Sequence, residues 1–229
     1  MFLLIPGAGG LAWEWHRLEP ELRALGHDVV AIALPAGDDS AGLTEYADTV
    51  VDAIGNRTGI VLVAQSFGGF TAPLVCERVT VDLLVLLNAM VPLPGETFGA
   101  WWSNTDHASA YRAHAATLGL DPSDLQDDRI VYYHDLPPDL VEAALALESD
   151  QSSTPLDQPW PLERWPDVPT RVLSGRDDRM FPAAFQRRVA RERLGIEADE
   201  IAGGHMVALA NPAGLAERLD RYAGDVSRG

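Results

Sequence analysis

Lysine is missing from this 229-residue sequence, so all 17 basic residues are arginine, and they are opposed by 34 acidic residues. The formal net charge is −17. Nucleic-acid binding depends on clustered basic side chains that neutralise phosphates. The charge balance therefore argues against a nucleic-acid partner and favours neutral or cationic small molecules over anionic ones.

Cysteine and long apolar runs are also scarce. Cys76 is the single cysteine, so no intramolecular disulfide can form and a reducing compartment is expected. The apolar run of residues 1–6 is short and lacks a basic flank, and no later run reaches the roughly 18 residues of a membrane span. We expect a cytoplasmic protein with no membrane partner. The chain has no Cys/His cluster with metal-ligand spacing, so we expect no metal and no cofactor.

What the sequence does contain is a regular alternation of two patterns. Short apolar runs, typical of strands buried on both faces, lie at residues 2–5, 29–34, 60–64, 83–87 and 171–173, with a weaker one at 197–201. Segments with helical spacing of apolar residues lie at 13–25, 43–54, 69–79, 183–194 and 212–222. Such strands separated by helices predict an α/β fold with a doubly wound, mostly parallel sheet.

Residues 91–167 interrupt this alternation. They contain several prolines, four of the six tryptophans and helical fragments at 108–117 and 138–147, but no clear strand. We predict a helical cap inserted into a core formed by residues 1–90 and 168–229. The alternative is an ordinary subdomain whose aromatic side chains only pack against one another.

Ser66 follows the third predicted strand in the sequence Ala-Gln-Ser-Phe-Gly. A nucleophile on a sharp turn between strand and helix needs small residues two positions before and after it, here Ala64 and Gly68. Ligands bind at the carboxyl ends of strands in such sheets, which favours a catalytic role. The alternative is a serine that only caps the next helix.

A serine nucleophile needs a base and an orienting acid, and this fold places them in the order Ser, Asp or Glu, His. Asp177 and Asp178 follow the fifth predicted strand, and His205 lies in a glycine-rich loop after the sixth. The other histidines lie in predicted helices, a turn or the insertion, and we interpret them as surface or packing residues: His16, His27, His107, His114 and His134.

Acyl transfer also requires backbone N–H groups that point at the developing oxyanion. The amide of Phe67, directly after the nucleophile, is one candidate. The second is expected in the glycine-rich loop of residues 6–10 after the first strand, and we predict the amide of Ala8.

Together, residues 6–13, the stretch 26–30 and the three triad loops resemble the α/β-hydrolase superfamily. Within it the chain is similar to small esterases related to plant methylesterases and hydroxynitrile lyases. The resemblance implies an acid three residues after a glycine, which selects Asp178 after Gly175, and a histidine after a glycine, as in His205. Some relatives place the acid after the fourth strand, but Asn88 stands there and cannot ionise.

Two departures from the family bear on chemistry. The usual His-Gly of the oxyanion loop is Pro6-Gly7 here, which should preserve the donor at Ala8. Hydroxynitrile lyases of this family depend on a lysine that this chain lacks, and haloalkane dehalogenases need a carboxylate where Ser66 stands. The resemblance therefore implies a serine hydrolase.

We expect a small-molecule substrate, an apolar or aromatic carboxylic ester, cleaved through an acyl-enzyme. Thioesters and lactones stay open as alternatives, and the sequence carries no signal for an oligomeric state. Five side chains are expected to contact substrate. For each of them, packing in the core of the cap is an equally good interpretation. They are Met90, Phe98, Trp101, Trp102 and Tyr111.

Two other classes of protein fit parts of the sequence. Residues 7–12 match the dinucleotide pattern G-x-G-x-x-A, but that site needs an acid at the end of the second strand, and Asp28 stands at its beginning. The second alternative is a protein of the same fold that binds a ligand without hydrolysing it. Such a protein could keep all three triad side chains.

Overall fold

All six predicted strands lie in one sheet in the computed structural model, which describes residues 1–147 and 150–226. The strands are β1 (Phe2–Ile5), β2 (Val29–Ala31), β3 (Val61–Ser66), β4 (Leu83–Ala89), β5 (Thr170–Gly175) and β6 (Asp199–Ile201). Their order is β2-β1-β3-β4-β5-β6, and every neighbouring pair is parallel. The prediction of a doubly wound parallel sheet is confirmed.

Helices connect the strands in the part of the chain that the structure describes. They are α1 (Leu18–Ala24), α2 (Leu43–Ile54), α3 (Gly68–Cys76), α4 (Phe98–Asn104), α5 (His107–Thr117), α6 (Asp128–Val131), α7 (Pro138–Leu145), α8 (Thr154–Asp157), α9 (Ala183–Leu194), α10 (Val207–Ala210) and α11 (Pro212–Val226), with 3-10 turns at Ala12–Trp15 and Asp124–Gln126. The helix predicted at 13–25 is wrong in one respect, because a 3-10 turn precedes α1. Proline costs no hydrogen bond in the first turn of a helix, and Pro20 is the third residue of α1, which begins at Leu18.

The sheet is buried on both faces because alternate residues of each strand point to opposite sides. In β1, Leu3 and Ile5 pack with α2, α3 and α9, whereas Phe2 and Leu4 pack with α1 and α11. All four side chains are fully buried. Because helices cover both faces of the sheet, a site can form from the loops at the carboxyl ends of the strands.

The segment between β4 and β5 contains only helices within residues 91–147 and 150–167. Trp160 attaches it to the core, because its Nε1 donates to the carbonyl oxygen of Phe70 at 3.1 Å, while Trp101 Nε1 donates to that of Val91 at the start of the segment, also at 3.1 Å. Its division from the core at residues 91 and 167 stays a prediction, and residues 148, 149 and 227–229 of the predicted ranges lie outside the described part. No described helix has the length and apolarity to cross a bilayer.

Candidate active site

Ser66 ends β3 in a strained backbone conformation. Its φ is +52°, in the left-handed region that non-glycine residues rarely adopt, at a cost of about 1–3 kcal/mol. The pairing of β3 with β4 shifts register between Gln65 and Ser66. A Cβ on Gly69 would lie 1.9 Å from the Met90 carbonyl oxygen, so only glycine fits where α3 leaves the turn. Together these features are those of a nucleophile elbow.

The glycine loop after β1 lies directly against this turn. A Cβ on Gly7 would lie 2.9 Å from Ser66 Cβ and 2.7 Å from Gln65 Oε1. Ala8 lines the same cavity as Ser66, and Phe67 stands at the N-terminus of α3, where backbone N–H groups lack helical partners. The structure therefore brings both predicted oxyanion donors to the nucleophile. A 3-10 turn follows this loop, whereas the dinucleotide pattern requires a helix.

His205 and Asp178 are joined by a hydrogen bond of 2.9 Å between Nδ1 and Oδ2. Both side chains are buried, 3% and 0% exposed. Asp178 Oδ1 accepts from the amides of Met180 and Phe181 at 2.8 Å each. A carboxylate accepts hydrogen bonds, so Nδ1–H donates to Asp178, and this leaves Nε2 as the acceptor atom of the ring.

Ser66 and His205 line one cavity, but no hydrogen bond between their side chains is found in the described residues. Such bonds are often long before substrate binds and shorten in the reacting complex. Asp177 is exposed and bonds instead to Gly203, whose amide donates to its Oδ2 at 3.3 Å. The geometry thus favours Asp178 over Asp177.

Asn88 supports the histidine loop from inside the sheet. Its Nδ2 donates to the carbonyl oxygens of Gly204 at 3.0 Å and His205 at 2.9 Å, and its Oδ1 accepts from the amide of Gly175 at 2.6 Å. Asn88 is fully buried and has a φ of +46°. The sequence indicated only that this position cannot supply the acid, so its structural role was missed.

Side chains of the β4–β5 segment hold the catalytic loops from the other side. Asp135 Oδ2 accepts from the amide of Gly204 at 2.6 Å, and His134 Nε2 donates to the carbonyl oxygen of Asp177 at 3.0 Å. Gln151 Oε1 accepts from the amide of Gly9 in the glycine loop at 2.9 Å. We refer to Asp135, His134 and Gln151 as the loop braces. No local sequence pattern indicates them.

The cavity above Ser66 has a volume of about 220 Å³. Its lining residues are Gly7, Ala8, Glu14, Gln65, Ser66, Asp128, Tyr132, Tyr133, His205 and Met206. Tyr132 packs edge-to-face on the His205 ring, with centroids 5.4 Å apart. Within residues 1–147 and 150–226, no group of three or more His, Cys, Asp or Glu side chains could hold a metal ion.

The five predicted substrate contacts are absent from this lining. Phe98 and Trp102 pack edge-to-face at 5.4 Å, and Phe98 also touches the ring of Phe67 at 5.4 Å. Trp101 and Met90 are each 1% exposed. The hydroxyl of the remaining residue, Tyr111, donates to the Leu125 carbonyl oxygen at 3.3 Å. Phe98, Trp101 and Trp102 pack on one another as an aromatic cluster that contacts Phe67 through Phe98.

Burial shifts the acid–base behaviour of three residues in the lining. It raises the pKa of Glu14 to about 8, and the backbone N–H of Gly7 opposes this rise. It also raises the pKa of Tyr133 to about 12, with smaller contributions from the charges of Glu14 and Asp128, and raises that of Tyr132. Sequence reasoning missed Glu14, although a charged residue between Trp13 and Trp15 directly after the glycine loop was a signal.

Comparisons with known proteins agree with this geometry. A model of the alpha/beta hydrolase family matches residues 2–218. "Probable esterase PIR7A" of Oryza sativa subsp. indica is 28% identical, over 97% of this chain and 96% of its own. The alpha-hydroxynitrile lyase of Arabidopsis thaliana is 25% identical, over 98% and 97%. The crystal structure of a pyrethroid hydrolase from Sphingobium faniae JZ-2 superposes with a TM-score of 0.80 at 24% identity, over 100% of this chain and 98% of that one, a likeness of fold.

Proposed function

Because the chain belongs to the alpha/beta hydrolase family, we propose that it hydrolyses carboxylic esters, with Ser66 as nucleophile, His205 as base and Asp178 as the acid that orients it. The observation that carries the proposal is the 2.9 Å bond between His205 Nδ1 and Asp178 Oδ2, beside a cavity that Ser66 and His205 both line. Relatives named as esterases support an ester as substrate.

In the first half of the reaction, Ser66 Oγ attacks the ester carbonyl carbon while His205 Nε2 takes its proton. The Asp178 carboxylate stabilises the resulting imidazolium. The amides of Ala8 and Phe67 donate to the oxyanion, and losing one such donor lowers the rate by about 100-fold or more. His205 then protonates the leaving alkoxide, which departs as an alcohol and leaves an acyl-enzyme.

In the second half, water attacks the acyl carbonyl and gives its proton to His205 Nε2. The tetrahedral intermediate collapses, the proton returns to Ser66 Oγ, and the carboxylic acid leaves. The same steps serve a thioester or a lactone, because both pass through an acyl-serine. The absence of lysine argues against the cyanohydrin cleavage that the lyases of this family perform with that residue.

The substrate we propose is small and partly apolar. A cavity of about 220 Å³ holds a short acyl chain with a modest alcohol, and tyrosine rings form one wall of it. The aromatic side chains of Phe98, Trp101 and Trp102 do not line this cavity, and Phe98 packs on the buried ring of Phe67. The cavity therefore sets the limit on substrate size. A panel of p-nitrophenyl esters of increasing acyl length, with matched thioesters and lactones, measures this limit.

The test of the mechanism is covalent labelling with a fluorophosphonate, followed by peptide mass mapping. We expect the phosphonate on Ser66 and a loss of p-nitrophenyl acetate hydrolysis in Ser66→Ala by about 10⁴-fold or more. Ser109→Ala, at an exposed helical position, is the matched control and should keep full activity. A folded wild-type protein with an inert Ser66 would contradict the proposal and favour a ligand-binding protein with an idle triad.

A further inference from the structure

Glu14 is a carboxyl group in the catalytic cavity that the proposed mechanism does not use. It lies in the 3-10 turn Ala12–Trp15, directly after the glycine loop, and lines the cavity together with Ser66 and His205. Its Oε2 atom is shielded from solvent and has no hydrogen-bond partner among the described residues. Trp15, 1% exposed, anchors this turn in the core. The turn therefore holds Glu14 at the cavity wall.

The surroundings of Glu14 favour its neutral form. The titratable groups that share the cavity with it are Asp128, Tyr132, Tyr133 and His205, and no arginine within residues 1–147 and 150–226 lines the cavity. Removal from water without a cationic partner disfavours a carboxylate. Consistent with this, burial raises the pKa of Glu14 to about 8. At neutral pH the group is mainly a carboxylic acid, which has one O–H donor.

We propose that Glu14 binds substrate through this O–H, and that the enzyme thereby selects esters with an acceptor oxygen near the scissile carbonyl. Glu14 lines the cavity beside the Gly7–Ala8 loop, and in the proposed mechanism the reacting carbonyl oxygen lies at that loop. An acceptor oxygen that Glu14 can reach must therefore lie near the scissile carbonyl. A buried donor left unpaired is costly, so such a site disfavours the analogue that lacks the acceptor. This inference rests on the proposed esterase function and adds a substrate class to it: esters with an ether, hydroxyl or keto oxygen beside the acyl carbon.

The test uses two esters of nearly equal shape, p-nitrophenyl butyrate and p-nitrophenyl methoxyacetate. Their kcat/KM ratio, divided by the ratio of their alkaline hydrolysis rates, measures the preference for the ether oxygen. We expect wild type to prefer the methoxy ester by about tenfold. Glu14→Leu should lose this preference, measured as the ratio of the two esters within the same variant, and Glu14→Gln should keep most of it because the amide N–H still donates.

The pH dependence of the preference for the methoxy ester shows whether Glu14 donates a proton that titrates or only contributes its shape to the cavity. In wild type the preference should be complete below pH 7 and decline as pH rises through about 8, because the carboxylate has no proton to donate. In Glu14→Gln it should stay flat. Both substrates are measured at each pH, so a change in the protonation of His205 cancels from the ratio. Glu163→Leu, at an exposed position, is the control for a general effect of the substitution.

Three outcomes overturn the inference: equal losses on both esters in Glu14→Leu, no preference in wild type, or selection of a cationic amino ester that disappears in Glu14→Gln. The last would mean that Glu14 acts as a charge and not as a donor. Labelling distinguishes these outcomes from failure of the proposed function. A labelled, active enzyme whose preference is unchanged in Glu14→Leu rejects the role of Glu14 alone, whereas an unlabelled Ser66 rejects the esterase.

Discussion

The side-chain amide of Asn88 donates a 2.9 Å hydrogen bond to the backbone carbonyl oxygen of His205. The same Nδ2 also reaches the carbonyl oxygen of Gly204. The candidate base is therefore held from two directions, since Asp178 binds its ring and Asn88 binds its main chain. The position of the imidazole depends on a residue at the end of β4 that does not line the cavity.

Asn88→Asp tests this support with almost no change of shape. A carboxylate would face two carbonyl oxygens in place of a donor, so we expect the free energy of unfolding to fall by about 3 kcal/mol. Urea unfolding measures the loss, and kcat/KM should fall as the histidine loop shifts. Asn56→Asp, at an exposed position, should change stability by less than about 0.5 kcal/mol. Equal stability of the two variants would contradict the role of Asn88.

Gly7→Ala tests how closely the glycine loop must approach the nucleophile. The added methyl would lie 2.9 Å from Ser66 Cβ, so the loop or the serine has to move. A misplacement of about 1 Å at a catalytic group lowers the rate by about 100-fold, and we expect that loss in kcat/KM for p-nitrophenyl acetate. Gly99→Ala in α4 is the control, because its Cβ meets nothing within 4 Å. Activity of Gly7→Ala within twofold of that control would refute the close approach.

Gln151→Leu tests whether the β4–β5 segment positions the oxyanion loop. The substitution removes the acceptor of the Gly9 amide and keeps a similar side-chain volume. We expect kcat to fall by about tenfold with little change in KM, because the loop acts on the oxyanion more than on bound substrate. Gln126→Leu, an exposed position in the same segment, should leave both constants unchanged. An increase in KM alone would assign Gln151 to substrate binding instead.

Glu96→Gln tests the ion pair that ties the β4–β5 segment to α9. Glu96 and Arg193 are 2% and 7% exposed, with Nη1 and Oε2 2.5 Å apart. Removal of one buried partner should cost about 4 kcal/mol of unfolding free energy. The control is Glu142→Gln, because the pair of Glu142 with Arg129 is 68% and 49% exposed and contributes below about 1 kcal/mol. Similar losses in both variants would show that burial does not strengthen the Glu96 pair.

The same ion pair predicts a pH dependence. Burial by itself raises the pKa of Glu96, but hydrogen bonds from Arg193, Asn104 and the amide of Leu93 outweigh it, and the pKa lies below the ordinary 4.5. The stabilisation is therefore complete above the ordinary pKa of glutamate and is lost as pH falls through the depressed value. Unfolding midpoints should drop between pH 5 and pH 3 more in wild type than in Glu96→Gln.

The sequence predicted the sheet well because the signal for it is local. Each strand buried on both faces is a short apolar run, and even the weak run at 197–201 contains β6. The family resemblance is confirmed by the match over residues 2–218. The helix predicted at 13–25 begins too early, since Pro20 lies in the first turn of α1, which starts at Leu18, and the helix predicted at 69–79 already ends at Cys76.

The sequence indicated candidate site residues only where position along a strand suggests a role. Ser66 ends β3, Asp178 and His205 come after β5 and β6, and the structure brings these three candidates to one edge of the sheet. Asn88 acts through loops that are distant in sequence, and Glu14 owes its character to burial among residues from other elements. Tertiary packing alone decides such roles. Composition likewise could not show that the aromatic cluster packs on Phe67 and not along the cavity.

The loop braces have a consequence for how specificity in this protein could be altered. Exchanging the segment between β4 and β5 for that of a relative is an obvious route to a new substrate range. Here the exchange would also remove the partners of Gly204, Asp177 and Gly9. A chimera must therefore carry over the side chains of Asp135, His134 and Gln151, or the transplanted segment will disturb the catalytic loops before it changes the substrate.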